Sequence, residues 1–384
     1  MPVGPTAASA SGDAGDRAWL ARALALAETA RGRTSPNPAV GCVLVRGTRI
    51  AGEGATQPVG GPHAEAVALA EAGDTARGAT AYVTLEPCAH HGRTPPCADA
   101  LVAAGVRRVV IGHPDPNPVA GGGAARLRAD GCEVIGPLPP GELFREAIAQ
   151  QLEGFLTLVQ HDRPHVTLKL AQTPDGQLQA PDGARWITGA PARRAVHRWR
   201  AAVDGVLVGS GTAVTDDPRL TVRDDRDRPT RTQPRPIVLD GRLRLPVGGA
   251  VVGRGALVIT SHDATPQRQD DLRRAGATVE TVPSLPGGGL DLPAALRRIA
   301  RAGIASVLAE PGRTLGQALL DADLVDRLVL HVGGGDPGTV VHPAVHPASA
   351  TAWRLERLGG AGPDLIAHLG RSRGPVVAHR EEAP

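Results

Sequence analysis

The sequence predicts an α/β chain of two domains, and three observations carry that expectation. Apolar, strand-length runs alternate with amphipathic, helix-length segments along most of the chain. The 384 residues are enough for two full cores. Midway, Arg163-Pro164 interrupts the pattern, and a new strand pattern opens at His165.

Residues 1–15 are small and polar, and are expected to form a disordered tail. Residues 16–31 read as an amphipathic helix, with Leu20 and Leu24 one turn apart and Gly32 as a stop. Val40–Val45 is a strand candidate, and Gly61-Pro62 precedes a helix from His63 to Ala72. Ala81–Leu85 reads as a strand, Cys97–Ala104 as a helix and Val106–Ile111 as a strand. A helix over 142–160 leads out of a first domain, 16–160. The second domain, 165–370, opens with strand His165–Ala171. Further strands are expected near 205–209, 236–239, 256–260, 305–309 and 327–332. Helices are expected near 191–202, 266–275, 291–302 and 314–322. The Arg-, Asp-, Pro- and Thr-rich stretch 223–235 reads as a solvated loop, and 371–384 as a flexible tail.

Composition narrows the function classes. The 42 basic and 39 acidic residues are interspersed and net only +3, which gives no reason to expect a nucleic-acid or membrane partner. No apolar window reaches about 18 residues, and no secretory leader opens the chain. The chain therefore reads as cytoplasmic, with reduced thiols. Cys42 and Cys132 lie in or beside apolar runs and read as small core residues. Lys169 is the only lysine in a chain that otherwise uses arginine, which marks it as chemically needed.

The strongest chemical signal is a donor set for zinc. His63-Ala64-Glu65 alone means little. Strand Ala81–Leu85, however, runs into Glu86-Pro87-Cys88, and Cys97 opens the next helix. One His and two Cys make three metal ligands and leave a fourth position for water. Glu65 stands beside a ligand, where it can carry protons. Zinc deaminases combine this donor set with a Glu that is not a ligand, and bound zinc lowers the pKa of its water to about 7. Eight residues separate the two cysteines, and they include His90 and His91. A closed, structural four-ligand site using one of those histidines is the alternative. A closed site has no use for Glu65, so the open, catalytic site is preferred.

The long insert carries a family resemblance. The run from Pro87-Cys88 through His90, His91 and Arg93 to Cys97 resembles the signature of the bifunctional riboflavin-biosynthesis deaminase–reductases. So do Ser35-Pro36-Asn37-Pro38 and Asp115-Pro116-Asn117-Pro118. The resemblance extends over roughly residues 16–335. It implies a cytidine-deaminase-like three-layer domain followed by a dihydrofolate-reductase-like domain. It implies Zn2+ and NADPH as cofactors and a homo-oligomer. The substrate would be a phosphoribosylamino diaminopyrimidinone, first deaminated and then reduced from ribosyl to ribityl. On the same grounds Asn37 would bind the pyrimidine, while His90 and Arg93 would line its pocket.

In the second half, the run from Lys169 through Ala171, Thr173 and Asp175 to Gly176 resembles the family's reductase motif, as does Trp186-Ile187-Thr188. The resemblance gives Lys169 a catalytic role, polarising the opened sugar. It places substrate contacts at Ala184, Arg200, Leu220, Arg223 and Glu310. It places cofactor contacts at Ala171, Asp175, Trp186, Thr212, Asp216, Gly312, Arg313 and Thr314. Three of these assignments have independent physical support. Gly312 admits backbone close to a ligand ahead of a helix N-terminus, and arginines such as Arg200 and Arg223 suit a phosphate. Departures gather in this half: Ala184 for a serine, Thr173-Pro174 for Ser-Leu, Gly241 for a serine, and Gly333-Gly334-Gly335-Asp336-Pro337 for a Pro-Lys motif. They define one rival, a deaminase whose second domain binds without reducing. A zinc-stabilised binding protein is the rival from another class.

Overall fold

The computed structural model describes residues 10–91, 95–184, 186–224, 226–286, 288–334, 344–345 and 353–371. It divides into two compact units, Met1–Asp162 and Arg163–Pro384.

Unit 1 holds β1 (Gly41–Arg46), β2 (Arg49–Ala55), β3 (Thr80–Leu85), β4 (Arg108–His113) and β5 (Glu133–Ile135), in the order β2-β1-β3-β4-β5. β1 is antiparallel to β2 and β3, whereas β3, β4 and β5 run parallel. Its helices are α1 (Ala10–Ala30), α2 (Ala64–Ala72), α3 (Cys97–Ala103), α4 (Gly123–Ala129), α5 (Leu143–Gln151) and α6 (Glu153–His161). Strand side chains alternate between the two faces. Cys42, Leu44, Val83 and Ile111 pack with Ala64, Ala68, Leu101 and Leu127 from α2, α3 and α4. Val43, Val45, Tyr82 and Val110 pack on the other face with Leu20 and Ala23 of α1. The strands are apolar on both sides because helices cover both faces, which makes three layers.

Unit 2 carries a nine-stranded sheet. Its strands are β6 (His165–Gln172), β7 (Gly205–Gly209), β8 (Arg235–Leu239), β9 (Leu257–Ser261), β10 (Thr278–Val282), β11 (Ser306–Ala309), β12 (Arg327–Val332), β13 (Trp353–Ala361) and β14 (Asp364–Arg371). Their order is β10-β9-β8-β7-β11-β6-β12-β14-β13. From β10 to β12 the neighbours are parallel; β14 is antiparallel to β12 and to β13. The helices are α7 (Ala190–Ala201), α8 (Ser210–Asp216), α9 (Pro266–Arg274), α10 (Leu292–Arg301) and α11 (Arg313–Asp321). Leu207, Ile237 and Ile259 pack with Leu296, Ile299 and Leu319 of α10 and α11. Val206, Val208, Val238 and Val258 take the opposite face with Ala213 and Leu272 of α8 and α9. Ligand sites in such sheets lie beyond the carboxyl ends of the parallel strands. Those ends hold Gly209, Leu239, Ser261 and Ala309 here. Among the described residues, no helix is long and apolar enough to cross a membrane.

Several sequence expectations need correction. α1 starts at Ala10, so residues 10–15 are helical rather than a disordered tail. Asp16 anchors that end: its carboxylate accepts from Arg108 at 2.9 and 2.6 Å and from the Tyr82 hydroxyl at 2.9 Å. An anchored turn lets the helix propagate upstream. Residues 1–9 lie outside the described residues, as does the expected tail beyond Arg371, which ends β14. The single helix over 142–160 is two, broken at Leu152 (φ −89°, ψ 3°). Cys132 is only partly buried, its thiol donating to the Val106 carbonyl at 3.2 Å.

Candidate metal centre and reductase cleft

The metal donors converge from three places in unit 1. His63 is the residue just before α2, and Cys97 is the first residue of α3. Cys88 is not at a helix start itself. It lies on the loop after β3, and its sulfur accepts from the Cys97 backbone N–H at 3.3 Å. His63 Nδ1 is 3.3 Å from Cys97 Sγ and 3.8 Å from Cys88 Sγ. All three donor atoms lie within 4.8 Å of one another. Two glycines make that convergence possible. A Cβ at Gly54 would come 2.5 Å from the Ala64 carbonyl oxygen, so glycine lets α2 lie directly on β2. A Cβ at Gly123 would come 1.7 Å from the Pro87 carbonyl oxygen, so glycine lets the start of α4 press on the Cys88 loop. The Glu86 carboxylate, held by the Ala124 N–H at 2.9 Å, ties the same loop to that helix.

Glu65 is 4% exposed, one residue into α2. Burial raises its carboxyl above the ordinary value, assisted by the charge of Cys88. The neighbouring Cys97 thiol, His63 and the Cys97 N–H hold the Cys88 thiol far below its ordinary value. Two thiols, one imidazole and a protonatable carboxyl that is not a donor fit catalytic zinc, with one coordination position left over. Among the described residues, His90 and His91 are not part of the donor group, which removes the observation on which a closed site would rest. Among the described residues, His90 Nδ1 is buried without a hydrogen-bond partner. It is close enough to Asp115 for the two to interact electrostatically, so the Asp115–Pro118 run is on the same side as the metal. Asn37 sits on the turn before β1, its N–H bonded to the Thr34 carbonyl at 2.9 Å. Arg93 lies outside the described residues.

In unit 2 a charged cluster lies on the sheet face covered by α7. Arg200 grips Glu310 through Nε (2.7 Å) and Nη2 (3.0 Å) and donates to the Thr221 carbonyl at 3.0 Å. Burial alone would raise the Glu310 carboxyl, but Arg200 and Lys169 outweigh it and hold it below the ordinary value. Burial lowers the Lys169 ammonium, against the opposing pull of Glu310. Arg223 reaches Thr221 Oγ1 at 3.4 Å but is mainly paired with the exposed Asp227 at 2.8 Å. Leu220 is 3% exposed, and its side chain belongs to the core, so only its backbone can meet a ligand. Ala184 is exposed and follows the short helix Pro181–Gly183.

A cavity of about 1090 Å3 opens beyond the strand ends. Thr212, Gly312, Arg313 and Thr314 line it, whereas Ala171, Asp175, Trp186 and Asp216 do not. Arg313 bonds the carbonyls of Ala344 and, at 2.9 Å, Gly176. Its guanidinium therefore pins the turn carrying Asp175 to the start of α11 and is not free to grip a phosphate. Trp186 is 55% exposed, with the Arg193 guanidinium 5.2 Å from its ring centre. Asp216 is exposed at the end of α8. Sequence reasoning missed Arg242, Arg244, Ser261, Asp263 and Ser284, which line the same cavity. The available signal was their position just past strand ends. An elongated, phosphate-bearing dinucleotide fits a cavity lined by two helix N-termini, Gly209–Thr212 and Gly312–Thr314, and by Arg242 and Arg244, the latter bonded to Ser210 at 2.6 Å.

Comparison with known proteins agrees. Residues 14–113 match the cytidine and deoxycytidylate deaminase zinc-binding region, and residues 164–359 match the RibD C-terminal domain. The chain is 41% identical to the riboflavin biosynthesis protein RibD of Escherichia coli over 92% of its own length and 99% of that protein. It is 38% identical to the Aquifex aeolicus protein of that name, over 83% of this chain and 86% of the other. Among solved structures, Acinetobacter baumannii RibD superposes with a TM-score of 0.79 at 34% identity, covering 94% of this chain and 99% of that one. A diaminohydroxyphosphoribosylaminopyrimidine deaminase/5-amino-6-(5-phosphoribosylamino)uracil reductase from Thermotoga maritima gives 0.77 at 32% identity, with the same coverage. The cytidine-deaminase-like and dihydrofolate-reductase-like folds expected from the resemblance both hold. On the strength of identity along nearly its whole length, and of the donor set and cleft just described, the chain belongs to the RibD family of riboflavin biosynthesis proteins.

Proposed function

We propose that unit 1 deaminates the phosphoribosylamino diaminopyrimidinone and that unit 2 reduces the resulting aminouracil, using NADPH, from ribosyl to ribityl. The observation that carries the first step is the convergence of His63, Cys88 and Cys97 beside buried Glu65. Zinc, when held by those three side chains, supplies a water acidic enough to attack at neutral pH. Glu65 takes one proton of the water at its carboxylate and passes it to the ring nitrogen, then takes the hydroxyl proton of the adduct and passes it to the departing amine as the carbonyl forms. Its raised pKa suits a group that must both accept and donate. Asn37, His90 and Arg93 hold and orient the pyrimidine in this reading. Water is consumed and ammonia leaves.

For the second step, NADPH in the large cavity supplies the hydride. Thr212, Gly312 and Thr314 bind it through strand-end and helix-start backbone, while Ala171, Asp175, Trp186 and Asp216, outside the cavity lining, are assigned to it by the family resemblance alone. Lys169 stands at the opened sugar as a compact charge, polarising the acceptor and giving up a proton. Arg200 and Arg223, with Glu310, Ala184 and the Leu220 backbone, orient the substrate and its phosphate. The retained Lys169, Arg200 and Glu310 cluster favours reduction over a merely binding domain.

A cytoplasmic homo-oligomer completes the reading. All four cysteines are unpaired, and two of them serve as metal donors, which suits a reducing compartment. Light scattering on purified chain checks the assembly. The functional test supplies zinc-loaded chain with the diaminopyrimidinone phosphate and NADPH and follows ammonia and NADPH together. Both change if the proposal is right. No ammonia would refute the first step, and ammonia with constant NADPH the second.

A further inference from the structure

Among the described residues, two polar groups on one face of the unit 2 sheet end without hydrogen-bond partners. β12 runs parallel to β6, with Val329 opposite Lys169 and His331 opposite Ala171. Opposed residues share a face, and so do residues two apart along a strand, so Lys169 and His331 are diagonal neighbours on the side covered by α7. Among the described residues, Lys169 makes no hydrogen bond or close ion pair, although it feels the charges of Glu310 and Arg200. The carboxylate that would neutralise it is already gripped by Arg200.

His331 is 0% exposed, and among the described residues neither of its ring nitrogens has a hydrogen-bond partner. Its ring meets Trp199 of α7 edge to face, 5.2 Å between centres, and His368 of β14 meets the same indole at 5.3 Å. A buried imidazole with two unsatisfied nitrogens is costly unless something uses it. Packing against Trp199 alone would be served better by an apolar side chain. The charged or titratable groups that act on it are Lys169 from β6, His368 from β14 and Glu310 after β11, with Arg200 of α7 acting on the same lysine. Burial and the Lys169 charge push the His331 ring down to about 3, so it is neutral at physiological pH and keeps a lone pair.

We propose that His331 is the positioning residue of Lys169, its ring accepting from the ammonium across one water and aiming that ammonium at the reductase cleft. The inference rests on the reductase reading of unit 2. An acceptor favours the charged amine, so losing it must lower the pKa of Lys169.

The chain contains one lysine, which makes the test direct. Full-length chain carrying lysine labelled with carbon-13 at Cε gives a single lysine side-chain resonance, whose pH midpoint belongs to Lys169. His331→Phe is expected to lower that midpoint by about one pH unit. His331→Gln, which retains an acceptor, should keep it within a few tenths. Should the Phe variant not fold, His331→Leu takes its place. A midpoint unmoved by Phe or Leu, or moved equally by Gln, would overturn the assignment. NADPH consumption by the wild-type chain is followed alongside. Its absence sinks the reductase reading, whereas an unmoved midpoint sinks only the role of His331.

Discussion

The two units build their sites in opposite ways. Unit 1 draws its metal donors from a stretch of 35 residues, His63 to Cys97, and leaves their donor atoms bonded to one another and to the Cys97 N–H. Unit 2 gathers its groups from Lys169 to Glu310 and beyond, and most of their charges are already paired: Arg200 with Glu310, Arg223 with Asp227, Arg313 with backbone carbonyls. A metal site must present bare donors, since the ion supplies the balancing charge. A site for a long anionic cofactor can rely on backbone N–H groups and a pre-formed cavity. Damage to one donor should therefore be catastrophic in unit 1 and graded in unit 2.

The largest expected effect is at the metal. Cys97→Ser should remove bound zinc and abolish ammonia release, while NADPH consumption on supplied aminouracil continues; metal analysis by mass spectrometry checks the first part. Glu65→Gln should retain zinc yet slow deamination by about 10²- to 10⁴-fold, the usual weight of a general acid–base group. Retained ammonia release in that variant would show that another group moves the proton. In unit 2, Arg200→Ala strands Glu310 without its bidentate partner, and should slow reduction by about 10- to 100-fold with deamination intact. An all-or-none loss there would erase the contrast between the units.

A smaller effect concerns stability. Arg163 binds Asp326 at 2.6 and 2.8 Å, and the Val166 N–H adds a third bond at 2.9 Å. Burial would raise the Asp326 carboxyl, but these donors override it and bring it down to about 2 from 3.8. Because the folded pKa lies below the unfolded one, the stabilisation is complete above about pH 4 and is lost as pH falls through about 2. Asp326→Asn should cost unit 2 about 3 kcal/mol at neutral pH, and much less near pH 2, as read by urea unfolding at the two pH values. Equal costs at both pH values would mean that packing, not charge, holds the pair.

This contrast also explains what could be read from the sequence. His63, Glu65, Cys88 and Cys97 were legible because metal chemistry restricts residue type and spacing together. Strands β6, β7, β8, β9, β11 and β12 of unit 2 were legible as apolar runs, whereas β10 and β14 were not anticipated. β2 escaped because Gly52 and Gly54, needed for contact with α2, dilute its strand character. β13 escaped because it is a charged strand with mostly exposed side chains at the end of the sheet. In the cleft, Arg242, Ser261, Asp263 and Ser284 each sit at or just past a strand end, which the sequence could show, but which strand ends adjoin is set by sheet order, which no local pattern encodes. Leu220 shows the reverse limit: its position matched a family contact, yet its side chain serves the core.

What most needs testing is whether one chain joins a zinc deaminase to a working reductase. Zinc-loaded chain is given the diaminopyrimidinone phosphate and NADPH, and ammonia and NADPH are both followed over time. Ammonia release followed by an equal loss of NADPH is the expected course. Ammonia release with NADPH unchanged would contradict the joint activity.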